Sequence, residues 1–336
     1  MHIEQIDPVH NEVDLAAIVT CVQRSYGDAL GDFPVPGAQR LRFWRSDGYE
    51  YTNKVFGAFA DKGGGGELLG FSTLGLEKFG NLELSQSAIL VSPQSVSVSV
   101  SAAQVAEALL AHATDFCREN GRTRLAIGLP EVLPAEDYAP IRAGRVTYTA
   151  VRSVLDLRTV DREQFAEWSG PSDANKEYRL VRWVDRCPDE LVDAFLVVMA
   201  AMEDAPQEDM EYEHLKPQLD LLRGMEDHSC RFGARRYVTA AVAGDGTIGG
   251  YTMFVEYPDE PRALDIWDTG VTRTHRGRGL GLRLKADATL WMLENCPDAD
   301  YVQTYNNQSN EHMLAVNRRL GYKATDRDEI FEFSFS

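Results

Sequence analysis

Short runs of alternating apolar and polar residues in the second half of the chain predict β-strands, and apolar residues at helical spacing predict helices between them. The predicted strands are residues 178–183, 237–243, 248–257, 263–272 and 301–305. The predicted helices are one that opens at Pro188, residues 213–225, one from a glycine-rich turn to residue 295, and residues 310–320. Gly244-Asp245-Gly246, between two of the strands, is typical of a β-hairpin.

The first half of the chain repeats this order of elements. Its predicted strands are residues 3–6, 55–60, 68–76, 82–91, 124–129 and 146–157, and its predicted helices are residues 13–26 and 102–119. At a constant offset of 180 residues, residues 69–71 fall on residues 249–251 and Val91 falls on Val271. One offset that holds across strands, a turn and a helix predicts a tandem duplication. The polar residues 169–176 form the predicted linker, so the predicted domains are residues 1–168 and 177–336.

Composition narrows the class of protein further. The 336 residues are enough for about two domains, and their formal net charge is −18. This acidity argues against nucleic acid as a partner, because binding phosphates needs a basic surface. No apolar run is long enough to cross a membrane, so no membrane partner is expected. The five cysteines are scattered, without CxxC pairs or nearby histidine pairs, which predicts a reducing cytoplasm, no disulfides and no metal site.

The stretch THRGRGLGLRLK, residues 274–285, combines three glycines with arginines at the start of a predicted helix. The first amides of a helix lack intrahelical partners, and the helix dipole places partial positive charge there. Glycines allow the backbone to wrap around a phosphate group, and arginines add charged donors. The spacing matches neither GxxxxGK[ST] nor GxGxxG. The stretch therefore predicts an anion site of another type.

The order Arg276-x-x-Gly279-x-Gly281, after a strand that ends at Val271, resembles the pyrophosphate turn of the GNAT superfamily of N-acyltransferases. Residues 310–322, NEHMLAVNRRLGY, resemble the last helix of that superfamily. Among its members, the chain looks like the actinobacterial tandem GNAT proteins, the group that includes mycothiol synthase. The resemblance covers residues 178–336 directly and the first half only through the duplication.

The resemblance implies an α/β (mixed α+β) fold of two tandem GNAT domains, each a mostly antiparallel mixed sheet flanked by helices. It also implies acetyl-CoA as the cofactor, with its pantetheine arm paired to the strand before the turn and Gly270 permitting a bulge in that strand. Asn310 matches an asparagine that contacts the cofactor, although a helix N-cap explains it equally well. The implied cofactor-binding residues are Thr269, Gly270, Val271, Arg276, Gly277, Arg278, Gly279, Leu280, Gly281 and Asn310.

Direct attack of an amine on the thioester needs a base and a group that stabilises the leaving thiolate. Asp265 is the preferred base, because it falls where some GNAT enzymes carry a glutamate and because strand parity places it on the face of Thr269 and Val271. Asp268 is the alternative. Asn317 stands where the family often has an acidic tyrosine, so the general acid stays unassigned between Asn317, Tyr305 and solvent.

The segment MEDAPQEDMEYEH, residues 202–214, is acidic and contains Glu203 and Asp204. It occupies the part of the family fold that selects the acceptor, so a small, cationic amine is expected there, with Trp267 lining the same cleft. A solvated acidic surface and a core tryptophan are the alternative interpretations. At the offset of 180, the turn residues become Val96, Ser99 and Ser101, so the first domain is expected to bind CoA weakly or not at all. The alternative is that its serines and helix N-terminus still hold a phosphate.

The implied function is an acetyl-CoA-dependent N-acetyltransferase that acts on the primary amine of a small molecule. Two alternatives stay open. One is a different acyl donor in natural-product or thiol-cofactor biosynthesis, and the other is a non-catalytic protein that binds acyl-CoA. A cytoplasmic monomer or homodimer is expected.

Overall fold

The computed structural model describes residues 1–60, 66–93, 100–201, 206–213 and 215–335. The chain forms two compact units. The first comprises Met1–Ala150, Gln207–Leu215 and Asp326–Ser336, and the second comprises Val151–Pro206 and Lys216–Thr325.

The first unit is a sheet in the order β1-β2-β3-β4-β5-β12 with helices packed on it. Its strands are β1 (His2–Ile6), β2 (Tyr51–Phe59), β3 (Leu68–Glu77), β4 (Leu84–Val91), β5 (Arg124–Pro130) and most of β12 (Lys323–Ser334). Its helices are α1 (Glu12–Tyr26), α2 (Ala38–Arg45), α3 (Ala102–Glu119) and α4 (Ala139–Arg142). Neighbouring strands of this sheet are antiparallel except β4 and β5, which are parallel.

The second unit has the strand order β6-β11-β10-β9-β8-β7. Its strands are the end of β6 (Arg145–Asp156), β7 (Arg179–Val184), β8 (Arg235–Val242), β9 (Ile248–Glu256), β10 (Ala263–Val271) and β11 (Tyr301–Asn307). Its helices are α5 (Arg162–Ser169), α6 (Val192–Met199), α7 (Leu219–Arg231), α8 (Leu280–Asn295) and α9 (Glu311–Arg319). The mostly antiparallel mixed sheet flanked by helices confirms the predicted fold class.

The two units repeat one topology. In each unit, three antiparallel strands are followed by a helix and then by a strand that is parallel to the third. The parallel pair is β4 and β5 in the first unit and β10 and β11 in the second. Gly70 is opposite Val91, and Gly250 is opposite Val271, at the predicted offset of 180 residues. A Cβ atom would lie 2.8 Å from the Leu90 carbonyl in the first case and 2.9 Å from the Gly270 carbonyl in the second. Both repeats therefore need glycine at the same close approach of two backbones.

The strands at the ends of the two repeats do not follow the predicted domain boundary. β6 passes from the first unit into the second after Ala150, and β12 enters the first unit at Asp326. Residues 328–334 of β12 pair antiparallel with β5, whose sheet they extend. The predicted domains, residues 1–168 and 177–336, describe the repeats in the sequence and stay a prediction. Each compact unit, by contrast, contains residues from both halves of the sequence.

One predicted helix begins in the wrong place. Residues 213–225 were expected to be helical, but α7 begins at Leu219 and continues to Arg231. Pro217 explains the difference, because the residue before a proline is disfavoured in the helical conformation. The short helices α2, α4 and α5 were not predicted from the sequence.

Replacement of Phe331 by alanine tests whether β12 is part of the first core. Phe331 is 3% exposed and belongs to the main hydrophobic cluster of the first unit. The change should cost about 3–5 kcal/mol of the stability of that unit. Urea unfolding followed by hydrogen exchange of β5 amides measures it. Arg327→Ala, on an exposed position of the same strand, should change stability by less than about 0.5 kcal/mol, and equal effects of the two variants would contradict the assignment.

Candidate active site

The parallel strands β10 and β11 separate before they end. Residues 263–266 of β10 pair with residues 301–304 of β11, whereas the strands continue to Val271 and Asn307. Past the last pair, the facing edges of the two strands are no longer bonded to each other, although β10 stays paired with β9. Backbone groups at such an edge need other partners. The carboxyl ends of the two strands therefore form a fork that can accept an extended ligand.

A β-bulge lies at the base of the fork. The register of β10 against β9 shifts by one residue at Trp267, which makes Trp267 the extra residue. Residues directly opposite each other share a face of the sheet. Asp265 is opposite Val255 and Asp268 is opposite Met253, two residues away on β9. Both carboxylates therefore lie on one face of β10.

This bulge corrects two predictions. Asp265 was expected on the face of Thr269 and Val271, but the extra residue reverses the alternation, so that those two side chains lie on the opposite face. The bulge itself was expected at Gly270 and is found at Trp267. The two-residue alternation of side chains along a strand is interrupted at a bulge. No glycine at this position of the sequence indicates the bulge.

Asp265 is buried at the closed end of the fork, 7% exposed. Its Oδ1 accepts a hydrogen bond from Gln303 Nε2 at 2.7 Å, and Gln303 Oε1 accepts one from Arg152 Nε at 2.8 Å. Because a guanidinium can only donate, Arg152 determines which end of the Gln303 amide faces Asp265. Neither Gln303 nor Arg152 was predicted, because partners on other strands leave no local signal.

Asp268 lies beyond the bulge, half-buried. Tyr251 donates its hydroxyl to Asp268 Oδ2 at 3.1 Å. Burial, with the charge of Asp268, raises the pKa of Tyr251 well above its usual range, so the phenol stays a donor. Tyr305, 42% exposed, is on the face of β11 that carries Gln303. Trp267 is half-buried at the bulge.

The glycine-rich turn adopts the backbone that an anion site requires. Gly277 has φ 77° and Gly279 has φ 73°, a left-handed conformation that favours glycine. Gly279 is the N-cap of α8, and no side chain caps the helix. Both glycines are exposed, and a Cβ at Gly277 or Gly281 would meet no atom within 4 Å. Leu280, by contrast, is buried and packs on the core of the unit.

The predicted linker braces this turn. Asn175, 4% exposed, donates from Nδ2 to the Arg278 carbonyl at 3.0 Å. The buried Arg283 donates to the Asn175 carbonyl at 2.8 Å and to the Tyr178 carbonyl at 3.1 Å. The Tyr178 hydroxyl is 2.5 Å from Nδ1 of His275. Residues 169–178 therefore stabilise the turn through these hydrogen bonds. Their polar composition did not predict this role.

The two arginines of the turn already have partners. Arg276 is exposed, and its Nε donates to the Val271 carbonyl at 3.0 Å, which ties the turn to the end of β10. Arg278 forms an ion pair with Glu177. Both arginines flank the exposed Gly277 in the sequence and can supply positive charge to a bound diphosphate.

Asn317 is buried next to the end of β11. Its Nδ2 donates to Asn306 Oδ1 at 2.7 Å, and its Oδ1 accepts a hydrogen bond from Lys285 of α8. Lys285 was missed, although a charged residue at a core position of a helix is itself a signal. Asn310 is the N-cap of α9, and its Oδ1 accepts from the Met313 amide at 3.2 Å. Its predicted contact with the cofactor stays a prediction.

The corresponding fork of the first unit is filled by the protein itself. Residues 84–88 of β4 pair with residues 124–128 of β5. At the end of β4, the Val91 amide donates to the Tyr138 hydroxyl at 3.1 Å, and the Val91 carbonyl accepts from Ser25 Oγ at 2.6 Å. Tyr138 is 1% exposed. The backbone that matches the end of β10 is therefore already satisfied by side chains.

The helix N-terminus of the first unit is capped as well. The Gln104 amide donates to Ser101 Oγ at 3.2 Å, and the Ser101 amide donates to Gln104 Oε1 at 2.8 Å, which is a capping box. Two donors that a phosphate would need are thus occupied. Positions 96 and 99 lie outside the described residues.

The acidic segment is only partly described. Glu203 and Asp204, the predicted acceptor-binding residues, lie outside the described residues. Glu208 and Glu211 belong to the first unit, where Glu208 Oε2 accepts from the Thr149 amide at 3.0 Å and Glu211 lies 3.9 Å from Arg124. These contacts give part of the segment a structural role.

Among the residues that the structure describes, no three or more His, Cys, Asp or Glu side chains are grouped so that they could hold a metal ion. In the same residues, no helix combines the length and apolar character that crossing a membrane requires.

Residues 199–322 match the acetyltransferase (GNAT) family. The L-2,4-diaminobutyric acid acetyltransferase of Shouchella clausii (strain KSM-K16) is 39% identical over 77 residues, which are 23% of this chain and 42% of that relative. The chain thus matches less than half the length of this curated relative.

Solved structures resemble the whole chain. A tandem GNAT protein from the clavulanic acid biosynthesis pathway, solved without AcCoA, is 22% identical with a TM-score of 0.77 over 99% of this chain and 98% of its own. A GCN5-related N-acetyltransferase from Sphaerobacter thermophilus is 14% identical with a TM-score of 0.67 over 99% of this chain and 95% of its own. The predicted tandem GNAT fold is confirmed, and residues 199–322 in the second half of the chain are similar to the GNAT acetyltransferase family.

Replacement of Asn175 by alanine should loosen the turn without touching its exposed glycines. The buried hydrogen bonds lost are worth about 1–3 kcal/mol, so acetyl-CoA affinity should fall by roughly fivefold to a hundredfold. Calorimetric titration measures the change. Ser172→Ala, exposed on the same segment, should bind like the wild type. Equal affinity of both variants would show that residues 169–178 do not support the site.

The filled fork of the first unit predicts a stoichiometry of one acetyl-CoA per chain. Tyr138→Phe should leave that stoichiometry unchanged and should cost about 1–3 kcal/mol of stability, because the buried Val91 amide loses its partner. Equilibrium dialysis with acetyl-CoA and urea unfolding provide the two measurements. A second binding site in the wild type would contradict the interpretation.

Proposed function

We propose that the chain is an N-acetyltransferase that moves the acetyl group of acetyl-CoA to the primary amine of a small, cationic molecule. The observation that carries this proposal is the fork between β10 and β11 beside the exposed amides of the glycine-rich turn. The match of residues 199–322 to the GNAT acetyltransferase family supports the same reaction.

The residues present fit acetyl-CoA. The exposed amides around Gly277, Gly279 and Gly281 would hold the diphosphate, with Arg276 and Arg278 adding charge. The edge of β10 at Thr269, Gly270 and Val271, which is not paired with β11, would pair with the amide groups of the pantetheine arm, while the Val271 carbonyl keeps its bond from Arg276. Acetyl-CoA supplies an activated acyl group, which an amine can attack directly.

The two carboxylates on one face of β10 are the candidates for the base. Asp268 is the better placed, because it is half-buried and lies beyond the bulge, where the strands have separated. Asp265 lies in the paired part of the strand and already accepts from Gln303. We therefore assign removal of the amine proton to Asp268, directly or through a water molecule. Asp265 is assigned a structural role on the same face of β10.

The acceptor is proposed to be a small amine. The carboxylates of the fork and the net charge of −18 favour a cation. The relative from Shouchella clausii is named for acetylation of L-2,4-diaminobutyric acid, a small diamine with a carboxylate. Acceptor contacts from Glu203, Asp204 and Trp267, the cytoplasmic location and the resemblance to the group that includes mycothiol synthase stay predictions.

One observation favours a second candidate, a non-catalytic protein that binds acyl-CoA. Asn317 stands where an acidic tyrosine was expected, and both ends of its amide are hydrogen-bonded within the protein. An amide cannot donate a proton as an acid at neutral pH. Turnover with an amine distinguishes the two candidates.

The first experiment is calorimetric titration with acetyl-CoA, followed by a thiol-release assay over a panel of amines that includes diaminobutyrate. The wild type should bind acetyl-CoA and release CoA with at least one amine. Gly279→Ala should weaken binding at least tenfold, because φ 73° strains any residue with a Cβ. Gly246→Ala is the matched control, since Gly246 also has a positive φ, 89°, but lies in the β8–β9 turn. Absence of binding would overturn the proposal, and binding without turnover would support the second candidate.

Asp268→Asn should lower kcat by roughly a hundredfold to ten-thousandfold, the range typical of a lost general base, with little change in acetyl-CoA binding. Asp265→Asn should have a smaller effect on kcat. Steady-state kinetics at saturating acetyl-CoA compares the two variants. The reverse order of effects would assign the proton to Asp265.

A further inference from the structure

Lys285 is the most unusual charged group of the second unit. It is 0% exposed, in the middle of α8. Its Nζ donates to Asn317 Oδ1 and lies 4.7 Å from the centre of the Tyr322 ring. No described carboxylate forms an ion pair with it. Lysines are almost never fully buried unless they are paired, so this ammonium needs an explanation beyond packing.

The surroundings of Lys285 disfavour its charge and offer no opposite charge. Burial lowers the pKa of Lys285 to about 7, and desolvation is the sole cause. On α8 itself, Asp287 points to Arg182, 2.6 Å away. On β10, Asp265 and Asp268 lie on the face opposite to the one that packs on α8. Tyr322, which follows α9, packs its ring against Lys285. Burial raises the pKa of Tyr322, so its phenol stays protonated and neutral.

Lys285 determines the orientation of Asn317. An ammonium group has only donors, so it must face the oxygen of the amide. The Asn317 nitrogen then points the other way, towards Asn306 Oδ1 at 2.7 Å. Asn306 is on the part of β11 that lies beyond its paired residues. One of the two N–H groups is used there, and in the described part of the chain no acceptor is bonded to the second.

We infer that Lys285 is a positioning residue that makes Asn317 a charge-assisted donor to the sulfur of CoA as it leaves. The inference rests on the proposed function. In the transfer, a bond forms between the amine nitrogen and the acetyl carbon, and the carbon–sulfur bond breaks with its electron pair on sulfur. The amine proton goes to Asp268 or water, and the thiolate takes its proton from solvent after it leaves. The positive charge of Lys285, one amide away, stabilises the developing thiolate.

This role makes the reaction depend on pH in a defined direction. Lys285 is charged below its lowered pKa and neutral above it, so its contribution to kcat is present at low pH and declines as the pH rises through about 7. The interaction forms only as charge develops on sulfur, so it should affect kcat and not the affinity for acetyl-CoA.

The test compares kcat from pH 5.5 to 9 in the wild type and in Lys285→Met, which keeps the length of the side chain and removes its charge. At low pH the variant should lose roughly tenfold to a hundredfold in kcat, as expected for one charged hydrogen bond. The deficit should shrink above pH 7, and acetyl-CoA affinity should stay within threefold of the wild type. Thr289→Val, one turn away at a residue 0% exposed that donates to the Lys285 carbonyl, is the control and should keep the wild-type profile.

Asn317→Leu gives an independent reading if Lys285→Met does not fold. It should show the same loss at low pH, and the double variant should lose no more than either single one, since both act through one amide. A pH-independent deficit, additive losses or a wild-type profile in Lys285→Met would overturn the inference while turnover still supports the acetyltransferase. Absence of turnover in the wild type would overturn both.

Discussion

The geometry of the candidate site depends on the extra residue at Trp267. β9 holds β10 along its length, so an added residue cannot be absorbed by sliding and must bend the strand away from its other neighbour. The parallel pairing with β11 ends at Ile266, immediately before it. The same residue places Asp265 and Asp268 on one face and leaves backbone edges free beyond them. One insertion thus opens the fork and positions its carboxylates.

The duplicated unit shows which features belong to the fold and which belong to the site. Both repeats keep the close contact of a glycine with the neighbouring strand, at Gly70 and at Gly250, because a Cβ would collide with backbone there. In the second repeat, exposed glycines stand at the helix N-terminus, and the Val271 carbonyl at the end of β10 accepts from the exposed Arg276 of the turn. In the first, Tyr138 and Ser25 bond the end of β4. The features that the two repeats share are those the fold requires, and the features that differ are those on which the proposed site depends.

The sequence predicted what depends on local pattern and missed what depends on distant partners. Strand and helix order, the offset of 180 residues and the glycine turn follow from periodicity and glycine spacing, and the structure contains them. The bulge at Trp267 was misplaced, because no local signal distinguishes a bulge without glycine from a regular strand. Asn175 and Arg283 were missed because their partners lie about a hundred residues away. Lys285 could have been found, since the surrounding apolar periodicity of α8 places it in the core.

Each compact unit contains a strand from the end of the other half of the sequence. The chain after Asp326 belongs to the first unit, and the chain from Val151 belongs to the second. Phe331 is a core residue of the first unit, and its partner on β5 is Ile127, from the first half of the sequence. A chain cut at the linker would therefore leave the first unit without an edge strand of its sheet and expose the backbone of β5. Loss of either half of the sequence would therefore damage both units.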